Sequence, residues 1–340
     1  GVFDPRGSRQ MRMQACPLGS LLAGIKEGIK MIDELTDIRS SFIKSHSMNH
    51  IKAIELYPGI ELTYLTLTTG HFSVHHAALD HILEINYCRS GRIGWDMGNG
   101  NSVYLGQKDF SLHTMKSCAD SVMSLPNGDY EGLTISIDLR ELTDDPPEAL
   151  SGTGITGTFL YNKFCKNSPI TSLAGNEQTE SIFSAFYSQP EPLQLAWQKI
   201  KALELLLYLG GLKVDSKNCL TEYQSEQIET IRKIHKQLAE HMEQRFTIES
   251  LSKQYLINPT TLKTMFKSVY GTSIAAHMKE HRMERAAKLL RETGLSIAEI
   301  AGSVGYDSQS RFTAAFKAHW GKLPKDYRNT SEISKLQIFS

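Results

Sequence analysis

The feature that most restricts this chain is a pattern of helix punctuation that occurs twice in its last third. In the first copy Thr247 stands where a short helix begins, with Ser250 after it and Leu251 turned inward. A turn over Leu256–Asn258 then leads to Pro259, a residue suited to the first position of a helix because its fixed φ matches and its missing N–H is not needed there. The helix that follows, PTTLKTMFKSVY, places Leu262, Met265, Phe266 and Val269 on one face and Thr260, Lys263, Thr264 and Lys267 on the other. In the second copy Ser296 is the N-cap and Glu299, three residues on, completes a capping box. Ile297, Ile300 and the small Ala301 face inward, and Gly305 suits the left-handed backbone of a tight turn. Ser308 caps SQSRFTAAFKAHW, with Phe312, Ala315 and Phe316 inward; Gln309, Ser310, Arg311, Thr313 and Ala314 lie near the exposed N-terminal end. Gly321 ends that helix and Pro324 blocks its continuation. Between the copies, AAHMKEHRMERAAKLLRETG reads as one long helix.

The pattern predicts two helix-turn-helix units on a rigid connector. One such unit alone is better explained by ordinary packing of a helical bundle. Two in tandem can do more. Short polar side chains and Arg or Lys on the first turns of both second helices can hydrogen-bond base edges in a major groove, and a stiff connector can hold them about one DNA turn, roughly 34 Å, apart. Charge points the same way. The net charge is zero overall, but residues 221–340 carry 18 Lys+Arg against 13 Asp+Glu, and residues 1–220 carry 19 against 24. Phosphate positioning needs long basic chains near helix ends, for which Lys267, Lys317 and Arg328 are the candidates, while Arg282 and Arg285 in the connector read as structural ion-pair residues.

IAGSVGYDSQSRFTAAFKAHWGKLPKDYR, residues 300–328, closely resembles the signature of the AraC/XylS family of bacterial transcription regulators: Ile-Ala, Gly-Tyr, Ser, Phe, Phe-Lys, Gly, Pro and Tyr-Arg fall at the family's spacing. The resemblance runs back to about residue 227 through LKTMFKSVYGTSI and RMERAAKLL. It implies that Thr260, Lys263 and Thr264 from the first unit, and Gln309, Ser310, Arg311 and Thr313 from the second, face bases of double-stranded promoter DNA. One departure stands out. Leu256 occupies a position where the first turn often has Gly, and a Leu at positive φ is strained by about 1 kcal/mol or more; the expectation is a first turn of different shape.

Ahead of these units the texture changes. Residues 18–35 have helical spacing, and from 50 to 140 short segments rich in Ile, Val, Thr and Tyr (ELTYLTLTT, HILEINYC, SVYLG, LTISIDL) alternate with turn signals at 98–101 and 126–129. That texture predicts an antiparallel sandwich or barrel. The family resemblance implies a cupin-like sensor barrel here, with HHAALDHILEINYCRSGRIGWDMGNGNSVYLGQKDF similar to its central hairpin. In a strand over 82–88, Ile82, Glu84, Asn86 and Cys88 share one face and Leu83, Ile85 and Tyr87 the other. The first set, with Trp95, is the candidate small-molecule pocket: Glu84, Asn86 and Trp95. Glu84 and Gly91 fit the cupin Glu-to-Gly spacing, but Ala78 and Asp80 stand where an HxH metal pair belongs. No metal site is therefore expected, and His71, His75, His76 and His81 read as solvated or hydrogen-bonded loop residues. Residues 141–176 read as irregular.

The helix PLQLAWQKIKALELLLYLGG is apolar over most of its circumference, with Gln194, Gln198 and Lys201 as a narrow polar stripe. A helix of that kind must be buried on two sides: one covers the β domain, and the other, through Trp197, Ile200, Leu203 and Leu207, is the expected dimer contact. GLKVDSKNCLTEYQ reads as a linker. The five cysteines, Cys16, Cys88, Cys118, Cys165 and Cys219, show no CxxC pair and are odd in number, against a disulfide framework. No run of about 18 apolar residues calls for a membrane span, and no signal-peptide layout opens the chain; residues 1–10 look irregular, with Met11 or Met13 a candidate start.

The expectation is thus an α+β chain: an arm and helix over 1–44, a cupin-like antiparallel β-barrel sensor with flanking helices over 45–176, a dimerisation segment over 177–212, a linker over 213–224, an all-α double helix-turn-helix DNA-binding domain over 225–329 and a tail over 330–340. It is not an enzyme, has no cofactor, and is cytoplasmic. Its partners are promoter DNA, a small-molecule effector, a second copy of itself and, as a further candidate, RNA polymerase. The competing readings are control by a protein partner and a cupin-type metal enzyme fused to a helical domain.

Overall fold

The computed structural model describes residues 50–68, 71–97, 99–188, 190–215 and 219–329. The predicted arm over 1–44, its helix at 18–35 and the tail over 330–340 lie outside the described residues. Within them the chain is mixed α+β, with sheets in the N-terminal part and only helices after Ser225.

Eleven described strands alternate in sense through two antiparallel sheets. They are β1 (His50–Tyr57), β2 (Ile60–Thr68), β3 (His71–His75), β4 (Ile82–Gly91), β5 (Ile93–Asp96), β6 (Asn101–Leu105), β7 (Phe110–Thr114), β8 (Asp120–Ser124), β9 (Asp129–Asp138), β10 (Ile170–Leu173) and β11 (Tyr223–Gln224). The larger sheet has the order β1-β2-β9-β4-β7-β10, the smaller β11-β6-β5-β8-β3. The predicted closed barrel is not found among the described residues. Closure requires every strand to have two neighbours, whereas each ladder ends, the large sheet on β1 and β10 and the small one on β11 and β3. The chain passes between the sheets at a corner where β4 gives way to β5. Gly91 turns it at φ 74, and a Cβ there would stand 2.2 Å from the Asp129 carbonyl oxygen. Only Arg92 lies between the two strands.

Alternation sorts the large sheet into two faces. Leu62, Leu83, Ile85, Tyr87, Leu112, Leu133, Ile135 and Ile137 join one core together with residues of the helices that follow. Those helices are α2 (Glu141–Asp144), α3 (Gly157–Phe164), α4 (Glu177–Ser184) and α5 (Gln194–Gly211), after a first short turn of helix, α1 (Met115–Cys118). Tyr87 stacks on Phe183 at 4.2 Å between ring centroids. The region 141–176, expected to be irregular, instead supplies α2, α3 and strand β10, because Leu142, Leu150, Leu160, Phe164 and Leu173 all bury into that core. The polar stripe expected on α5 is also revised: Gln198 is 1% exposed and donates from Nε2 to the Tyr64 hydroxyl at 2.8 Å.

The helical part runs α6 (Ser225–Glu240), α7 (Ile248–Gln254), α8 (Pro259–Tyr270), α9 (Ile274–Glu292), α10 (Ile297–Ser303) and α11 (Gln309–Trp320). It has two cores. Ile228, Ile231 and Ile234 of α6 pack with Leu251, Leu262, Phe266 and Met278; Met283, Ala287, Leu290, Ile300, Phe312 and Phe316 form the other. The connector α9 belongs to both, contributing Met278 to the first and its later residues to the second. At about 1.5 Å per residue its 19 residues span roughly 28 Å.

Candidate nucleic-acid interface and inter-sheet site

The two helix-turn-helix units are built as their punctuation predicts. Thr247 and Ser250 form a reciprocal capping box at the start of α7, and Ser296 and Glu299 form another at the start of α10. Glu299 accepts the Ser296 backbone N–H at 2.7 Å, a bond that holds its carboxyl below the usual value. Pro259 is at the first turn of α8 behind the N-cap Asn258, and Ser308 caps α11 through the Arg311 N–H. Gly271 and Gly321, both left-handed, close the two second helices. The first turn does not take a different shape: Leu256 itself adopts φ 52, and its side chain is 93% exposed.

The candidate base-facing residues lie on solvent. Thr260, Lys263 and Thr264 are exposed on α8; Gln309, Ser310 and Arg311 are exposed on α11, with Thr313 half-buried. Gln309, Ser310, Thr313, Ala314 and Lys317 line one shallow groove with Leu323. The inward residues Leu262, Phe266, Phe312 and Phe316 are fully buried, so each second helix presents a fixed polar face. Lys267 and Lys317 are exposed in the last turns of α8 and α11. Arg328 is engaged within the protein, donating to the Leu295 carbonyl at 2.5 Å just before the α10 cap. Arg282 donates to the backbone carbonyls of Met242 and Gln244, a structural role met by carbonyls rather than by an ion pair.

In the β region the polar face of the large sheet turns inward, toward the small sheet. Register aligns it in two rows across the strands. One pairs Ser172 with Ser111, Ser111 with Asn86, Asn86 with Thr134 and Thr134 with Thr63; the other pairs His113 with Glu84, Glu84 with Ser136 and Ser136 with Glu61. Glu61, Thr63, Asn86, Ser111, His113, Thr134, Ser136 and Ser172 are all buried. Thr134 donates to Asn86 Oδ1 at 2.7 Å, while Asn86 Nδ2, Ser111 Oγ and Ser172 Oγ have no partner among the described residues. Buried polar atoms seldom stay unpaired without a ligand or water to serve them. Trp95 is buried on the facing small sheet, its ring 6.3 Å from that of His113. Of the sequence candidates, Glu84, Asn86 and Trp95 therefore meet in one inter-sheet region. Glu61, Thr63, Ser111, His113, Thr134 and Ser136 were missed, although E-L-T, T-I-S and S-L-H carry the period-two signal that finds them.

His113 Nε2 lies 3.3 Å from Glu84 Oε2, and Cys118 Sγ lies 3.8 Å from the same oxygen. Burial raises the Glu84 carboxyl, but hydrogen bonding and charge from His113, with His76, leave it below its ordinary value. Burial and the Glu84 charge push the Cys118 thiol well up. Glu84, His113 and Cys118 offer ligand atoms within 4.8 Å of one another, so the missing HxH pair does not leave the region without a donor set.

Comparison with known proteins bears on the helical part. A family model described as a helix-turn-helix domain matches residues 251–330. Over 89 residues the chain is 36% identical to the HTH-type transcriptional regulator AlkR of Acinetobacter baylyi, covering 26% of this chain and 29% of that one. Residues 251–330 are an AraC/XylS-type helix-turn-helix domain. The chain is also 34% identical over 98 residues to the transcriptional regulator Rob of Salmonella typhimurium, covering 29% of this chain and 34% of that one. It is 28% identical over 137 residues to ExsA of Pseudomonas aeruginosa, covering 40% and 48%. The chain spans about a third of the length of the first two of these relatives and about half of ExsA. Among solved structures it is similar to the DNA-binding domain of AdpA in complex with a target DNA (23% identity, 32% of this chain and 97% of that chain, TM-score 0.31) and to ToxT from Vibrio cholerae (13% identity, 79% and 98%, TM-score 0.32).

The AraC/XylS-type units are docked on the small sheet by residues that sequence reading passed over. Arg92, at the sheet-to-sheet corner, donates to the carbonyls of Val269 and Ser268 at the C-terminus of α8. Arg232 of α6 pairs with Asp96 at 2.7 Å and donates to the Tyr104 hydroxyl at 2.9 Å. Tyr104 itself packs into the first helical core. The segment read as a linker is tied in as well: β11 pairs with β6, and Leu173 bridges to Cys219. No local pattern signals these contacts, because both partners of each are single residues distant in sequence.

Proposed function

We propose that the protein is a sequence-specific regulator of transcription that binds double-stranded promoter DNA through α8 and α11, senses a small molecule between its two sheets, and pairs with a second copy through α5. The observation that carries the DNA reading is the matched pair of exposed polar first turns, Thr260–Thr264 and Gln309–Thr313, on helices whose other faces are locked into two cores sharing one connector. Thr260, Lys263, Thr264, Gln309, Ser310, Arg311 and Thr313 meet base edges; Lys267 and Lys317, with Arg328 at the edge of the unit, meet phosphates. RNA polymerase is a further partner for the faces left free on DNA. The named relatives AlkR, Rob and ExsA are regulators, which supports this reading.

The two polar rows support a sensor. An interior lined by Glu84, Asn86, Ser111, His113 and Thr134 with a Trp95 wall suits a small polar or amphipathic molecule, which would satisfy amide and hydroxyl groups the protein leaves unpaired. The stripe on α5 supports dimerisation: Trp197, Ile200 and Leu207 are exposed and Leu203 is half-buried. The division that follows is a sensor over 45–176, a dimer segment over 177–212, a connecting segment over 213–224 and a DNA-binding domain over 225–329. The test is footprinting of the purified full chain on sheared genomic DNA. A small set of enriched sites sharing a two-part motif is expected; uniform binding or none would end the regulator reading. A thermal-shift screen of small metabolites tests the sensor separately: a stabilising compound should lose its effect in Glu84→Ala and Trp95→Ala, since binding to the folded state alone raises stability.

A further inference from the structure

Behind the first helix-turn-helix unit three histidines converge. His277 and His281 are four residues apart on α9, so both project from one side of that helix. Their Nε2 atoms are 3.0 Å apart. His235 reaches them from α6, its ring centroid 5.0 Å from that of His277 and 5.4 Å from that of His281. One ring nitrogen from each lies within 4.8 Å of the other two. His277 is buried and the other two are half-buried, and His235 Nε2 is a buried atom with no hydrogen-bond partner among the described residues.

We infer that His235, His277 and His281 are a binding site for one divalent transition-metal ion of the zinc class, clasping α6 to α9. A tetrahedral ion with nitrogen ligands at about 2.0–2.1 Å holds those nitrogens roughly 3.3 Å apart. The His277–His281 pair stands at 3.0 Å and the ligand atoms all lie within 4.8 Å of one another, so small ring movements close the set. The ligand chemistry selects the ion: imidazoles suit zinc, copper, nickel and iron, whereas magnesium and calcium require oxygens. Burial, with the neighbouring His281, holds the His235 and His277 imidazoles below their ordinary value. Three protein ligands leave a fourth position for water or an exogenous group. A cleft between the small sheet and this unit, lined by Ser124, Pro126, Glu229, Arg232 and Tyr270, opens onto His235 and provides a way in.

The location gives the ion a consequence. His235 stacks on Tyr270, the last residue of α8, at 4.4 Å, and His277 packs against Phe266 in the middle of α8. His235 also lies one turn along α6 from Arg232, the residue that grips the small sheet. A bound ion therefore fixes the back of the first reading helix, the connector and the sheet-facing helix together. The bare alternative is an aromatic cluster held by a histidine–histidine hydrogen bond.

The experiment uses tag-free full-length protein stripped with a chelator. Zinc uptake is measured by competition with a chromophoric chelator, and cobalt is used as a spectroscopic probe. Wild type is expected to take up one equivalent at this site, with cobalt absorption typical of nitrogen ligation and no thiolate charge-transfer band. His235→Gln, His277→Gln and His281→Gln should each weaken uptake at least tenfold, and Cys118→Ser and Glu84→Gln, in the inter-sheet donor set, should leave it unchanged. Zinc should raise the melting temperature of wild type and of Cys118→Ser but not of His281→Gln. Circular dichroism checks that the variants fold; should His277→Gln fail, the half-buried His235→Gln and His281→Gln decide. Absence of uptake from micromolar zinc, or uptake that survives the histidine changes and vanishes in Cys118→Ser, overturns the assignment.

Discussion

Arg92 donates from Nε to the carbonyl of Val269 at 3.1 Å, across 177 positions of the chain. The bond joins the corner between the two sheets to the last turn of a helix proposed to enter DNA. The carbonyls that end a helix have no intrahelical partner and carry the negative end of its dipole. A guanidinium is suited to that place, since its planar fork can serve two carbonyls, here Val269 and Ser268.

Removing that fork should loosen the docking. Arg92→Ala is expected to lower stability by about 1.5–3 kcal/mol, the usual range for a hydrogen bond involving a charged group. Asp96→Asn, which weakens the grip on Arg232, should add to it. Hydrogen exchange should speed up in α6 and the last turn of α8 and stay unchanged in α10 and α11. Equal protection in wild type and both variants would show that apolar contacts such as those of Tyr104 hold the units without these arginines.

Leu256 gives a prediction of opposite sign. Its backbone is left-handed at φ 52, and its side chain, 93% exposed, packs on almost nothing. Leu256→Gly relieves the steric cost while losing little burial, against a gain in unfolded-chain entropy. The net expectation is stabilisation by about 0.5–1 kcal/mol, read from urea unfolding. A loss of stability would mean that the side chain makes contacts in solution that outweigh the strain.

Arg311 and Lys317 should separate specificity from affinity. Arg311→Ala is expected to cost about 1–3 kcal/mol at the preferred site and to relax base preference there. Lys317→Ala should weaken binding evenly across sequences and reduce the salt slope by about 1. Gel shifts on cognate and scrambled duplexes at several salt concentrations measure both. Identical behaviour of the two variants would remove the division of roles.

On α5, Ile200 is 55% exposed and Leu207 is 46% exposed. A glutamate in either place would bury an unpaired charge in a dimer contact, so Ile200→Glu and Leu207→Glu should shift sedimentation from twice the chain mass to once, with unchanged circular dichroism. A wild type that sediments as one chain at micromolar concentration would remove the dimer role of this face.

Local chemistry makes the helical third readable in the sequence. Thr247, Ser296, Ser308, Pro259, Gly305 and Gly321 act within a few residues of themselves, on caps and turns, and each is found doing so. Phe312 and Phe316, four apart, had one face to share and are both buried. Within β4 strand period put Leu83, Ile85 and Tyr87 on one face, and that face is the one packed with the helices.

The sequence by itself determined where elements start and stop and which residues share a face, because backbone dihedral preference and side-chain period act over a few positions. What lies opposite each face was decided only by tertiary structure. An alternating strand reads polar-out in one dimension, yet the second sheet covers the polar face of the first, so Ser111, His113 and Thr134 end in the interior. Likewise Arg92 and Val269, Arg232 and Asp96, and His235 and His277 meet only because two sheets and two helices pack at one corner. Such pairings carry no local signal: their free energy arises from contacts between segments far apart in the chain, which only the packed structure brings together.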